Sequence, residues 1–274
     1  MSADLHIHTN HSDGTDAPEE IVRKARTAGL KTIAITDHDI VSGIALAQKT
    51  GSEAGVEVIP GIEFTTETQK CEVHILGYFI DHTNRDFLGL LDKMQHSRED
   101  RIYKMVDKLK NLGINIEAKR VFEIAGHPWA GRPHVAKALL EKGYVSTFKE
   151  AFDRYIQFQG PAYVSHFKLL PENAVKLIRQ VGGVAVYAHP FFNNAEEKTI
   201  LPKLVKAGLQ GLEAYYPAFG PSQTAELVEL AEKMGLCLTG GSDYHGSIGG
   251  REIRSLGDFS IPDEVVEKLR GLVK

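Results

Sequence analysis

Asp4-Leu5-His6-Ile7-His8-Thr9-Asn10-His11-Ser12-Asp13 is the stretch on which the reading of the chain turns. Ala3, Leu5 and Ile7 alternate with Asp4, His6 and His8, the two-residue period of a short strand. Side chains two apart leave a strand on the same face. His6 and His8 therefore aim at one point, and the turn that follows can bring Asp13 towards it. Two neutral imidazoles and a carboxylate at a strand end suit a borderline divalent metal such as Zn²⁺, Mn²⁺ or Fe²⁺. With 12 histidines in 274 residues a lone His-x-His arises easily by chance. Its meaning depends on whether later strands deliver partners.

Working outward, Asp16-Ala17-Pro18-Glu19-Glu20 reads as a helix start, with Asp16 as cap, an early proline and acids in the first turn. Lys31–Thr36 is a second strand, ending in Asp37-His38-Asp39. A helix over 43–54 leads to a short strand at 57–59, a break at Pro60-Gly61, then Ile62-Glu63-Phe64 and a strand over 72–79. From 84 to 160 the pattern turns helical. Phe87, Leu90, Leu91, Met94, Ile102, Met105, Val106 and Leu109 mark one face of a helix over 85–112, and shorter helices lie near 117–125, 132–142 and 146–156. Strands return at 183–188, running into His189-Pro190, at 209–214, and at 236–239, which reaches Gly240-Gly241-Ser242-Asp243-Tyr244-His245. Repeated βα units predict a mostly parallel sheet of six or seven strands, closed or nearly closed as a barrel. The helical stretch 84–168 reads as an insertion standing over one barrel end, with 1–83 and 169–274 as the barrel.

Composition is that of an ordinary globular chain, 42% hydrophobic and 25% charged. No signal-type opening segment and no membrane-length apolar run is present, and Cys71 and Cys237 alone make no disulfide scaffold. A cytoplasmic protein is the expectation. The net charge of −4 excludes a globally basic nucleic-acid binder, and stable duplex DNA binding is not expected. Residues 84–168 nevertheless hold 15 Lys and Arg against 10 Asp and Glu, while the remainder holds 17 against 26. A basic segment on an acidic body is a surface for an anionic ligand.

The partners for His6 and His8 are found at the other strand ends. His38 ends the second strand, Glu63 follows the third, His189 follows an apolar strand, and Asp243 and His245 follow the last. Barrel enzymes place their chemistry at this carboxyl-terminal rim. His74 is the exception, lying inside its strand; with Asp13 it brings the set to nine. Asp37 and Asp39 read either as orienters of neighbouring imidazoles or as helix caps. Cys71 and Cys237 read as core residues, and His11, His82, His96 and His127 as surface or loop residues.

These motifs resemble the PHP (polymerase and histidinol phosphatase) family: Asp4-Leu5-His6-Ile7-His8-Thr9, Ser12-Asp13-Gly14, Thr36-Asp37-His38-Asp39, Gly61-Ile62-Glu63, His74, Ala188-His189-Pro190 and Gly241-Ser242-Asp243-Tyr244-His245. The resemblance implies a distorted (β/α)₇ TIM-like barrel holding two or three divalent ions (Mn²⁺, Zn²⁺ or Fe²⁺). It implies one metal on His6, His8, Glu63 and Asp243, a second on Glu63, His74 and His189, and a third on Asp13, His38 and His245. Three such ions carry six positive charges and three carboxylates remove half of them. That surplus suits a phosphate monoester and a hydroxide, and so metal-assisted phosphoester hydrolysis. Glu63, Asp243 and His245 are the expected catalytic residues.

Substrate selection is expected in the insertion. Gly131-Arg132-Pro133-His134 opens a helix whose free amides, with Arg132, can take a phosphate. Ser165 and His166 follow Pro161 on a loop that also carries Lys168. Trp129, Tyr155 and Tyr163 either stack a base or pack in the core. The resemblance is strongest to the nucleotide-acting subgroup. It implies release of the 3′-phosphate from nucleoside 3′,5′-bisphosphates, or trimming of short 5′-phosphorylated RNA, with Arg132 and His134 on the second phosphate and the insertion as a substrate lid. The alternatives are a histidinol-phosphate phosphatase, a metal-dependent amide or ring hydrolase, and a non-catalytic module.

Overall fold

The structure, a computed structural model, describes residues 3–68, 71–126, 130–165, 167–190, 197–247, 255–257 and 259–273. A seven-stranded sheet runs in sequence order: β1 (Ala3–Ile7), β2 (Thr32–Ile35), β3 (Glu57–Glu67), β4 (Glu72–Tyr78), β5 (Val184–Tyr187), β6 (Gly211–Tyr215) and β7 (Cys237–Gly240). It closes on itself just past β7. The His8 amide donates to the Tyr244 carbonyl at 2.8 Å, and the Tyr244 amide to the His6 carbonyl at 3.2 Å. The barrel is parallel except at β4, which runs antiparallel to both β3 and β5.

Two expectations change. Pro60-Gly61 does not break the third strand: β3 runs straight through and exchanges partners there. Thr32–Ile35 pairs with Glu57–Pro60, and Gly61–Glu67 then pairs with β4. Asp16 does not cap α1 (Pro18–Thr27), whose N-cap is Ala17. Its carboxylate instead accepts from Lys24 Nζ and Tyr244 Oη, both at 2.6 Å, tying α1 to the closing seam.

Alternation sorts the strand residues into two cores. Ile33, Ile35, Ile62, Phe64, Ile75 and Leu212 face outward onto α1, α2 (Ile44–Ala54), α7 (Pro171–Gln180), α8 (Glu197–Ala207) and α9 (Pro221–Met234). Leu5, Ala34, Ile59, Leu76, Tyr78 and Val186 form a second cluster with Val266 and Leu269 of α10 (Asp263–Arg270), whose approach segment pairs Ile261 with Ala3. The polar residues of the strands, His6, Glu63 and His74 among them, lie towards the opposite rim.

Between β4 and α7 stand α3 (Arg85–Asn111), α4 (Ala118–Ala125), α5 (Arg132–Glu141), α6 (Phe148–Ala151) and a single π turn, Phe152–Ile156. They enclose a third core of Ile102, Met105, Leu109, Val121, Val135, Leu139 and Ile156. The 27-residue α3 is shared. Phe87, Leu91 and Met94 in its first half belong to the core around the barrel, and Ile102, Met105 and Leu109 in its second half to the core of the insertion.

Candidate metal centre

The nine residues singled out from sequence converge at one rim of the barrel. His6 and His8 come from β1 and its end, Asp13 from the following turn, and His38 from the end of β2, where it bridges to Glu63 of β3. His189, Asp243 and His245 follow β5 and β7. His74 is no longer an exception. Because β4 is reversed, its beginning lies at the rim where the other strands finish, and Thr65 pairs with His74 across the ladder.

Glu63, 1% exposed, is the hub. Its Oε2 lies 3.1 Å from His8 Nε2, 3.2 Å from His6 Nε2 and 3.3 Å from His38 Nδ1; its Oε1 lies 2.9 Å from His74 Nδ1 and 3.0 Å from His189 Nε2. Asp243 Oδ1 faces His8 Nε2 at 3.3 Å and His6 Nε2 at 3.5 Å. Asp13 faces His245 Nε2 at 3.2 Å and His8 Nδ1 at 3.7 Å. Among the described residues, four groups have donor atoms within 4.8 Å of one another: His8, Asp13, His38 and His245; His6, His8 and Asp243; His6, Glu63 and His189; and His38, Glu63 and His74.

The donor set fits divalent ions. His6 Nε2, both ring nitrogens of His8, Asp13 Oδ1 and His245 Nε2 are buried without a hydrogen-bond partner. Such atoms are costly unless something answers them. Separations of 3.1–3.5 Å around His6, His8, Glu63 and Asp243 exceed the usual charge-assisted hydrogen bond of about 2.8 Å. They approach the edge of a ligand tetrahedron built on bonds of about 2.0–2.1 Å.

Electrostatics points the same way. Burial opposes ionisation throughout, yet His245 and His6 hold Asp243 well below the usual carboxylate range, and His245 and His38 do so for Asp13. Burial is likewise overcome at Glu63 by His38, His6 and His74. The compensating charge falls on the imidazoles. Against burial, Glu213 and Glu63 lift His6 well above its ordinary value, and Asp243 and Glu63 bring His8 to about 10. Burial wins at His38, aided by the charges of His8 and His74, and holds it well below its ordinary value. A pocket that keeps its carboxylates ionised requires cations, supplied either as protons or as metal ions, and metal uptake displaces the protons.

The supporting residues were not legible. Glu213 of β6, fully buried, accepts from His6 Nδ1 at 2.9 Å and from the His189 amide at 2.7 Å. It places the His6 proton on Nδ1 and turns the Nε2 lone pair to the cluster. Glu213→Gln substitutes an N–H for one of these acceptors. Titration with metal should then show affinity about 10–100-fold weaker, with activity recovered in excess metal; an unchanged titration curve excludes this role. Tyr216 Oη donates to Asp243 Oδ2 at 2.8 Å. His189 and Asp243 hold φ of 27° and 51°, left-handed backbone that only a surrounding scaffold sustains. Among the described residues, Asp37 and Asp39 orient no imidazole directly. Asp37 accepts from Thr9 and Ser12, and Asp39 from the Thr65 amide and Arg98.

A cleft of about 120 Å³ opens between the cluster and the insertion. Asp13, His38 and His74 line it on one side, and Arg98, Arg101, Arg132, His134 and Phe152 on the other. Arg132 pairs with Glu72. The α5 N-terminus offers fewer amides than its sequence suggests, because His134 Nδ1 takes the Gly131 amide at 2.9 Å and Pro133 has none. Ser165 is exposed, 3.4 Å from Glu67 Oε1, and is not among the residues lining this cleft. His166 and Trp129 lie outside the described residues. Tyr163 is buried and donates to Glu67, and among the described residues it is Phe152 that brings a phenyl ring to the cleft. His11, expected on the surface, also lines it.

Residues 4–164 match the PHP domain. Over 91% of this chain, and 96% of the relative, the sequence is 30% identical to a phosphoribosyl 1,2-cyclic phosphate 1,2-diphosphodiesterase from Eggerthella lenta. It is likewise 30% identical, over 91% of this chain and 90% of the relative, to a 3′,5′-nucleoside bisphosphate phosphatase from Chromobacterium violaceum. A crystal structure from Bifidobacterium adolescentis, put forward as a metal-dependent phosphoesterase, superposes with a TM-score of 0.88 at 29% identity, covering 100% of this chain and 97% of that one.

Proposed function

Because this chain belongs to the PHP family and is a metal-dependent phosphoesterase, we propose that it removes the 3′-phosphate of nucleoside 3′,5′-bisphosphates, with short 5′-phosphorylated RNA as the polymeric counterpart. The observation that carries this reading is the cleft, where a carboxylate-and-imidazole cluster faces a wall bearing Arg98, Arg101 and Arg132. Two anion-receiving centres in one cleft suit a small molecule with two phosphates.

His6, His8, Glu63 and Asp243 would hold one ion, His74 and His189 would share Glu63 on a second, and Asp13, His38 and His245 would hold a third, as Mn²⁺, Zn²⁺ or Fe²⁺. Bound there, the ions supply an activated water and neutralise phosphate charge. The protein's own groups do the rest. Glu63 and Asp243 fix the negative charge that seats the ions, and His245, stacked on His8 with ring centroids 4.1 Å apart, sets its Nε2 3.2 Å from Asp13 Oδ1. Arg132 and His134, on the wall of the cleft, orient the substrate. Residues 84–168 cover the cleft as a lid on the barrel formed by 1–83 and 169–274. No described helix is long and apolar enough to cross a membrane, and two free cysteines fit a reducing cytoplasm.

A substrate panel tests this. Adenosine 3′,5′-bisphosphate, a 5′-phosphorylated RNA trinucleotide, a ribose 1,2-cyclic phosphate, histidinol phosphate and a dipeptide amide are compared with and without a chelator. The bisphosphate is expected to lead histidinol phosphate in kcat/KM by at least about 100-fold, the scale at which a site built for a second polar group rejects a substrate lacking it. Preference for histidinol phosphate or for the cyclic ester would replace the proposed substrate. Hydrolysis of the amide alone would overturn it.

A further inference from the structure

His38 stands between two of the candidate ion positions. Among the described residues it groups with His8, Asp13 and His245, and again with Glu63 and His74. Its Nε2 lies 4.0 Å from Asp13 Oδ2, and its Nδ1 lies 3.3 Å from Glu63 Oε2. A neutral imidazole offers a lone pair on one nitrogen and carries its proton on the other. The position of that proton therefore decides which group His38 completes.

Thr65, on β3 and 7% exposed, touches the nitrogen in question. Its Oγ1 lies 3.2 Å from His38 Nδ1, and Arg98 Nη2 donates to the same oxygen at 3.1 Å. Both Thr65 and Arg98 are anchored by the fully buried Asp39, which accepts from the Thr65 amide at 3.0 Å and pairs with the guanidinium. A threonine oxygen has two lone pairs. Arg98 fills one and leaves the other for Nδ1. A lone pair on Nδ1 would oppose the Glu63 carboxylate, whereas an N–H there is attracted by both oxygens.

We infer that Thr65 is a positioning residue for His38: its hydroxyl accepts the Nδ1 proton, withholds that nitrogen from the Glu63 and His74 group, and commits Nε2 to the position shared with Asp13 and His245. The inference rests on the three-ion reading above for what Nε2 would hold. Because Arg98 reaches Thr65 from α3, the helical insertion takes part in arranging a candidate metal ligand of the barrel.

The test uses the full-length protein, Zn²⁺ as the probe, and the variants Thr65→Val, which loses the hydroxyl, and Thr65→Ser, which keeps it. Two quantities are measured. The first is which nitrogen of His38 carries the proton, from ¹H–¹⁵N imidazole spectra assigned through the signal lost in His38→Asn. The second is the number and affinity of bound Zn²⁺ ions, from calorimetry and mass spectrometry. In the wild type the His38 proton is expected on Nδ1 with and without Zn²⁺. Thr65→Val should move part of it to Nε2 and weaken one Zn²⁺ ion by about 10–100-fold, while Thr65→Ser should match the wild type in both. A wild-type proton on Nε2, a valine variant indistinguishable from wild type, or a serine variant as impaired as the valine one overturns the inference. The wild-type spectrum decides alone if Thr65→Val does not fold. If the wild type binds two ions and no third, yet the proton leaves Nδ1 in Thr65→Val and stays in Thr65→Ser, the three-ion reading fails and the role of Thr65 stands.

Discussion

Glu63→Gln is expected to lower kcat by at least about 10³-fold, the scale on which a group that stabilises charge at a reaction centre is lost, and to reduce bound metal in the same preparation. The reason is the number of contacts made by one buried side chain. Glu63 faces His6, His8 and His38 through one oxygen, and His74 and His189 through the other. Gln removes the negative charge that seats cations among these imidazoles. It also presents an N–H to nitrogens whose lone pairs already face inward. The fold should survive, because the outer core of Ile62, Phe64 and Ile75 around this strand is untouched. Metal content by mass spectrometry and steady-state hydrolysis decide the matter; full metal occupancy with more than a tenth of wild-type activity would falsify the hub assignment.

The second large effect comes from a residue with no functional group. A Cβ on Gly241 would lie 2.5 Å from both the backbone nitrogen and the Cβ of His6, and 3.0 Å from Asp4 Oδ1. Backbone cannot yield there, since β1 is held on one side by β2 and on the other by the Tyr244 seam. Gly241→Ala should therefore cost on the order of 3 kcal/mol, as other overpacked sites do. At this chain length that lowers Tm by roughly 5–10 °C. Activity should fall further than stability, because the same displacement moves His6 away from Asp243 and Glu63. A Tm within about 2 °C of wild type would mean that the two strands separate freely.

Most of the site was legible because it is written in strand ends. A histidine or acid following an apolar run needs no tertiary information to be placed on the barrel rim, and His6, His38, His189 and Asp243 were found in that way. His74 resisted the same rule because strand direction is a tertiary property; the reversal of β4 that brings it to the rim leaves no mark in local periodicity. Glu213 was visible only as an acid inside a buried strand, Gly211–Tyr215, and its value lies in meeting His6 from 207 residues away. Arg98 and Arg101 were hidden for a different reason. Each sits on a helix whose apolar stripe was read correctly, but whether a neighbouring charge is paired depends on which carboxylates the barrel brings up to it. Pro60-Gly61 misled because turn chemistry was read without a ladder that could change partners across it.

The long helix α3 is a beam set into two walls, one end in the masonry of the barrel and the other in that of the insertion. A cover built on such a beam cannot swing like a door without bending 27 residues of hydrogen-bonded backbone. The arginines it carries are thus already in place before any ligand arrives, and the entropy of arranging them is met when the chain folds and not at each encounter.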